Sequence, residues 1–270
     1  MIEETQQLSI VIPWCNRQEL RDCLQALGEL CRTLTFEIIV VRQGGDNAAC
    51  HQYIQDSAMS NLRLIDIGNT DFNKSRCLNI GVAMARSERI FLCDCDVLVH
   101  DELIDAALHA LIPGCFVTVM RGVETKPSEH PEVLHALPCL QERVVTTELL
   151  FSQGRGAIFE TRQTSDGRSL AGLLFLRRSD YVAVGGANSR LQGWGFEDYD
   201  LQIRLQVELG LRMVSLGAAI HVTHQVTNEA SRYRSGVRNA LRAFSQYNEE
   251  NFLGTYNQDI APLEGRGNTG

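Results

Sequence analysis

The sequence predicts an α/β fold: a mixed, mainly parallel central sheet flanked by helices, with a smaller subregion at the C-terminal end. Three observations predict it. Short apolar runs alternate with helical spacings over residues 8–120, the pattern of a sheet with right-handed crossovers. The pattern turns irregular after Arg121. The 270 residues suit one domain, since α/β folds of roughly 250 residues often stay undivided. One domain is therefore expected over residues 1–264, with halves 8–120 and 121–264 and a disordered tail at 265–270.

Leu8–Pro13 is an apolar run ended by proline, hence a buried strand. Gln18–Leu30 places Leu20, Leu24, Leu27 and Leu30 at helical spacing. Phe36–Val41, Leu62–Ile67, Arg89–Cys93 and Cys115–Met120 read as further strands. Between them Asn47–Ser57, Asn73–Ala85 and Asp101–Leu111 read as helices. Gly122–Gly167, with Pro127, Pro131 and Pro138, reads as loops, a short helix and a hairpin near Ala157–Thr161. Leu170–Leu176 returns to strand, and Asp180–Val184 is a short helix closed by Gly185-Gly186. Glu197–Leu209 is amphipathic, Leu211–Leu216 and Ala218–Thr223 read as two short strands, and Gly236–Tyr247 as a helix. The polar Gln225–Ser235 between them is expected to be a lid.

Composition narrows the function. Acidic residues outnumber basic ones 33 to 25, a net charge of −8, which disfavours a nucleic-acid partner. Of the basic residues only Lys74 and Lys126 are lysines. Nine cysteines without a CxxC pair fit neither a zinc ribbon nor a disulfide framework, and point to a reducing, cytoplasmic setting. No apolar run reaches the roughly 18 residues of a membrane span, and Met1–Gln7 does not read as a signal peptide.

Four motifs carry chemistry. Asp94-Cys95-Asp96 follows a strand. Its two acids fall on one face, where they suit a hard divalent cation or plain solvent. Gly193-Trp194-Gly195-Phe196-Glu197-Asp198-Tyr199-Asp200 opens a helix. The helix dipole stabilises acids there, but does not explain a tryptophan between glycines. Glu197 and Asp198 point about 100° apart and so suit different tasks, one holding a hydroxyl and one taking a proton. In His221-Val222-Thr223-His224 a strand would separate the two imidazoles. Either the chain bends after Val222, or one histidine alone is a metal ligand. Pro13-Trp14-Cys15-Asn16-Arg17 and Phe72-Asn73-Lys74 suit a nucleoside diphosphate, or serve as helix entries capped by Asn16 and Asn73.

In this order the motifs resemble the GT-A glycosyltransferases, specifically the β-1,4-galactosyltransferase family and related bacterial galactosyl and N-acetylgalactosaminyl transferases. The matching stretches are Pro13 to Glu19, Arg42 to Asp46, Phe72 to Gly81, Asp94 to Asp96, Trp194 to Asp200 and His221 to His224. The resemblance implies a GT-A (Rossmann-like) fold whose smaller C-terminal subregion lies on the acceptor side. It implies a metal-dependent inverting transfer of galactose or N-acetylgalactosamine from a UDP-sugar. The acceptor would be a glycan or lipid-linked oligosaccharide of a bacterial surface polymer, met peripherally at the membrane's inner face.

By position, Pro13, Trp14, Arg17 and Phe72 would line the nucleotide site and Lys74 the diphosphate. Asp94 would contact the sugar nucleotide and Gly172 would bring backbone close to it. Asp96, His224 and His221 would hold Mn²⁺, or Mg²⁺. Trp194 and Glu197 would hold the acceptor, and Asp198 would be the general base. The chain departs from the family at Cys15, where the pattern has arginine, at Phe196, where it has glycine, and at His221, where it has methionine. A non-catalytic sugar-nucleotide-binding protein and a nucleotidyltransferase are the alternatives. The paired acids speak against the first; the lack of a glycine-rich, lysine-bearing loop near the first strand speaks against the second.

Overall fold

The structure, a computed structural model, describes residues 7–30, 34–126, 142–164, 166–224 and 229–264. The tail expected at 265–270, residues 225–228 of the expected lid and residues 127–141 lie outside the described residues.

Among the described residues ten strands share one sheet: β1 (Leu8–Trp14), β2 (Phe36–Arg42), β3 (Leu62–Asp66), β4 (Arg89–Leu92), β5 (Val97–Leu98), β6 (Cys115–Glu124), β7 (Glu142–Leu150), β8 (Gly156–Thr164), β9 (Gly167–Arg177) and β10 (Arg212–His221). The main path runs β3-β2-β1-β4-β9-β6-β10-β5, with β7 and β8 attached through β9. Around it lie α1 (Leu20–Gly28), α2 (Asn47–Ser57), α3 (Lys74–Ala83), α4 (Asp101–Ala110), α5 (Arg178–Ala183), α6 (Glu197–Leu209), α7 (Glu229–Asn248) and α8 (Tyr256–Glu264). β3, β2, β1 and β4 are parallel, as are β6 and β10. Antiparallel β9 joins the two sets.

Alternation along β1 divides the core. Leu8, Ile10, Ile12 and Trp14 face the layer containing α1 and α4. Val11 faces α3, where Gly81 leaves room for it: a Cβ there would lie 2.3 Å from Val11 Cγ1. Successive residues of one strand thus supply both layers of the core.

Three expectations are corrected. The stretch expected as loops with a hairpin at Ala157–Thr161 instead holds the long β7–β8 hairpin, paired from Glu142↔Thr164 to Leu150↔Gly156. β7 is largely exposed and β8 is mostly half-buried, with only Ala157 of the two strands fully buried, so no apolar alternation marks it. The two strands expected on either side of Gly217 are one, β10. Gly217 takes φ +67 without shifting the register, which runs from Leu216↔Val119 to Ala218↔Arg121, so the strand continues through it. Glu229–Ser235, expected as lid, forms the first turns of α7.

Candidate active site

The carboxyl ends of the parallel strands β1 and β4 open on one edge, the usual place for a ligand in such sheets. β4 stops at Leu92, and Asp94 follows it. Asn73 caps α3, its Oδ1 accepting from the Arg76 N–H at 3.0 Å, and so sets Lys74 as the first helical residue. Asp198 lies in the first turn of α6. The three converge: Lys74 Nζ is 2.7 Å from Asp94 Oδ1 and 3.0 Å from Asp198 Oδ1. They meet over Gly172. A Cβ at that glycine would stand 2.6 Å from Lys74 Nζ, 2.9 Å from Asp198 Oδ2 and 3.0 Å from Asp94 Oδ2. β9 reaches this point through a break in register, Thr118 pairing with Leu174 but Val119 with Leu170. Gln202 of α6 holds the displaced segment by donating to the Ala171 carbonyl at 2.8 Å. Burial opposes the charge on Lys74, but Asp198, Asp94 and Glu197 hold its ammonium well above the ordinary range. Burial in turn pushes the Asp94 carboxyl up, against the pull of Lys74.

The second cluster is built by strand register. β5 pairs antiparallel with the end of β10, Val97 opposite His221. β6 pairs parallel with it, Glu124 opposite His221. The Val222 N–H donates to the Asp96 carbonyl at 2.8 Å. The chain leaves the sheet after His221, so both imidazoles turn to one place. His224 Nε2 is 3.0 Å and His221 Nε2 3.6 Å from Asp96 Oδ2. One ligand atom each from Asp96, His221 and His224 lies within 4.8 Å of the others. Asp94 and Asp96 therefore serve different partners, Lys74 and the histidines.

These donors fit a divalent cation: a carboxylate and two imidazoles suit Mn²⁺ and its neighbours. His221 Nδ1 lies 2.8 Å from Glu124 Oε2, the carboxylate–histidine pairing that orients metal-binding imidazoles. His224 Nδ1 is buried with no partner among the described residues. Arg168 Nη2 stands 2.9 Å from His221 Nε2, and its Nε is 3.0 Å from Glu124 Oε1. A guanidinium thus balances the acids that a cation would balance. Burial opposes charge on both partners, but hydrogen bonds to Asp96 and Glu124 raise His221 to about 9. Bonds from the two histidines hold Asp96 well below the carboxylate range. Glu124→Gln is expected to weaken Mn²⁺ binding about 10–100-fold, measured by calorimetric titration; unchanged affinity would remove Glu124 from the site.

Glu197 is buried, and its Oε2 has no hydrogen-bond partner among the described residues. Burial, then the neighbouring Asp198 charge, push its carboxyl up to about 7. The folded chain thus holds this proton more tightly than the unfolded one. Its contribution to stability falls as pH rises between the ordinary glutamate value of 4.5 and about 7, and is constant above. Glu197→Gln removes that titration. In urea unfolding it should gain on the parent at about pH 8 and differ little at about pH 4; a pH-independent difference would refute the shift.

Trp194 exposes nearly half its surface, with the Arg232 guanidinium 4.6 Å above its ring. Its backbone N–H donates to Ser235 Oγ at 3.1 Å. The flanking glycines take φ +82 and +97, and let the loop press on α7: Cβ atoms would lie 2.3 Å from Ser235 Oγ and 3.0 Å from Gly236 Cα. The close approach they permit is to a helix. Phe196, where the resembled family has glycine, takes φ +73 at the head of α6 and packs against Phe244. Asp200, within the same acidic run, is fully buried on Arg204 and the Tyr247 hydroxyl. It ties α6 to α7 instead of lining the cleft.

The residues expected around the nucleotide divide. Phe72 is exposed on the loop before α3, and Arg17 is half-buried. Pro13 is buried within β1. Trp14 is 1% exposed, its ring part of the core and its Nε1 donating to the Arg17 carbonyl at 2.7 Å. That corrects its placing as a base contact: it fixes the loop from behind. Asn16 does not cap α1. It takes φ +52 and accepts from the Asp46 N–H at 2.6 Å. The sequence reading missed Glu124, Arg168, Gln202 and Arg232. The first two join the cluster only through strand register, and no local motif announces them.

The model for glycosyl transferase family 2 matches residues 9–164, and that for the N-terminal domain of galactosyltransferase matches residues 159–227. No curated protein matches the chain. Among solved structures, TarS 1–349 of S. aureus is similar at TM-score 0.55 and 13% identity, over 80% of this chain and 60% of that one. The mannosyltransferase PcManGT from Pyrobaculum calidifontis, in complex with GDP-Man and Mn²⁺, gives 0.58 and 16%, over 96% and 68%. GalNAc-T7 with UDP, GalNAc and Mn²⁺ gives 0.63 and 11%, over 90% and 48%. This chain spans 60% of the TarS chain and about half of the GalNAc-T7 chain. At these identities the likeness is one of fold, the GT-A fold. The family match over more than half of the chain adds what fold alone cannot: the protein belongs to glycosyl transferase family 2.

Proposed function

We propose that the protein is a metal-dependent inverting glycosyltransferase. It moves galactose or N-acetylgalactosamine from a UDP-sugar to a hydroxyl of a glycan or lipid-linked acceptor, in bacterial surface-polymer synthesis. The observation that carries this reading is the meeting of Lys74, Asp94 and Asp198 over the bare backbone of Gly172. The family matches and the metal-type cluster of Asp96, His221 and His224 support it. GalNAc-T7 is described with UDP, GalNAc and Mn²⁺, and TarS with UDP-GlcNAc.

In the cleft Lys74 is held by two carboxylates. A donor diphosphate competes for that ammonium, so binding draws Lys74 Nζ toward phosphate oxygens and releases Asp198. Asp198 then accepts the proton of the acceptor hydroxyl, whose oxygen attacks the anomeric carbon opposite the departing UDP. The new C–O bond forms as the old one breaks, and the configuration inverts. Asp96, His221 and His224 would hold a divalent cation, which would supply Lewis-acid neutralisation of charge on the leaving diphosphate. Asp94 orients the donor sugar, Phe72 and Arg17 border the nucleotide, and Trp194 with Glu197 receives the acceptor. Residues 8–120 form the donor half of this arrangement and 121–264 the acceptor and metal half.

A donor screen reading UDP release in Mn²⁺ tests the proposal. UDP-galactose or UDP-N-acetylgalactosamine should turn over fastest, and chelation should abolish release. No release from any UDP-sugar, with glycoside acceptors present, would refute it.

A further inference from the structure

α7 carries a second surface that sugar transfer leaves unexplained. Ser235, Asn239, Ala243 and Tyr247, four residues apart, are buried and seat the helix on the protein. On the outer side Tyr233, Val237 and Leu241 repeat the same spacing at 74%, 46% and 67% exposure. Arg234, Arg238 and Arg242 run beside them, and with Ser245 the two rows line a shallow groove of about 450 Å³. Residues 230–248 contain four arginines and no acid, in a chain of net charge −8. Among the described residues none of the three outer arginines meets a carboxylate; Arg242 donates to the Arg190 carbonyl at 3.1 Å.

We propose that this face of α7 docks on an anionic lipid surface. An exposed apolar row beside a cationic row is the pattern of a helix lying in the membrane interface. Tyr233, Val237 and Leu241 enter the headgroup boundary, and the phenol suits its half-wet character. The arginines lie along the surface, where guanidinium forks meet lipid phosphates. Charge complementarity selects this occupant over a second copy of the chain. Two copies joined across a two-fold would set arginine rows near one another, with no acid among residues 230–248 to offset them. Arg232, on the inner side of the same helix, stacks on Trp194, so the docked helix begins at the mouth of the candidate site. The proposal stands apart from sugar transfer, since lipid binding requires no donor.

Flotation with vesicles tests it, comparing phosphatidylcholine alone with an equal mixture of phosphatidylcholine and phosphatidylglycerol. The full chain should float with the anionic vesicles only, and should release at about 1 M salt, where screening acts within about 3 Å. Arg234→Glu with Arg238→Glu and Arg242→Glu should weaken partition at least about tenfold, given the contribution of each cation near a charged surface. Tyr233→Ser with Leu241→Ser should also weaken it, and thermal melts should show both variants folded. Absent flotation, equal binding to neutral vesicles, or full binding by the folded triple variant would overturn the proposal. So would a dimer in sedimentation that the triple variant dissociates, which would assign the face to a second copy.

Discussion

Asp198→Asn is expected to lower turnover about 10²–10⁴-fold, the usual worth of a general base, while UDP affinity stays within a few-fold. The side chain keeps its size, and Lys74 keeps its 2.7 Å pairing with Asp94, so the donor cleft should survive. What is lost is the oxygen that takes the acceptor's proton. Steady-state kinetics with saturating donor, together with UDP titration, separate the two effects. Equal losses in UDP binding and turnover would make Asp198 a partner of Lys74 only. Full activity would remove it from the chemistry altogether.

Gly172→Ala should be nearly as damaging through a single methyl. Its Cβ would press on the ends of Lys74, Asp198 and Asp94 together, at 2.6–3.0 Å. All three are flexible side-chain ends, and Gly172 is not among the glycines of positive φ. The fold can therefore accept alanine while the cleft cannot keep its arrangement. Displacing reacting groups by about 1 Å can cost about 10²-fold, so kcat/KM should fall by that order with the melting temperature nearly unchanged. Wild-type kinetics in a folded Gly172→Ala protein would mean that this convergence is not the working geometry.

Much of this was legible from local pattern. The buried strands at Leu8 and Cys115 follow from continuous apolar runs, and the helix at Leu20 from the spacing of Leu20, Leu24 and Leu27, which it buries on one face. The hairpin from Glu142 was not legible, because β7 is largely exposed and β8 buries little beyond Ala157 and part of Phe159. Trp14 shows the limit for site residues. Its position after a strand fits a nucleotide loop equally well as the core, and packing alone decides between them. The two histidines of His221–His224 left a choice that spacing could not make; the end of β10 makes it by letting the chain turn after the strand.

By itself the sequence determined the order of elements, the paired acids at Asp94 and Asp96, the acid pair at Glu197 and Asp198, and the rarity that marks Lys74. These are properties of neighbours in the chain, fixed by side-chain chemistry and by periods of two and 3.6 residues. Tertiary structure alone decided that Asp94 answers to Lys74 while Asp96 answers to two histidines, and that Glu124 and Arg168 stand behind them. It also withdrew Asp200 from the cleft to a buried pairing with Arg204. The reason is physical: residues 96, 124 and 221 are brought together by strand register. Register is set by which faces and strand ends pack together over the whole sheet, so no short stretch of the chain encodes it.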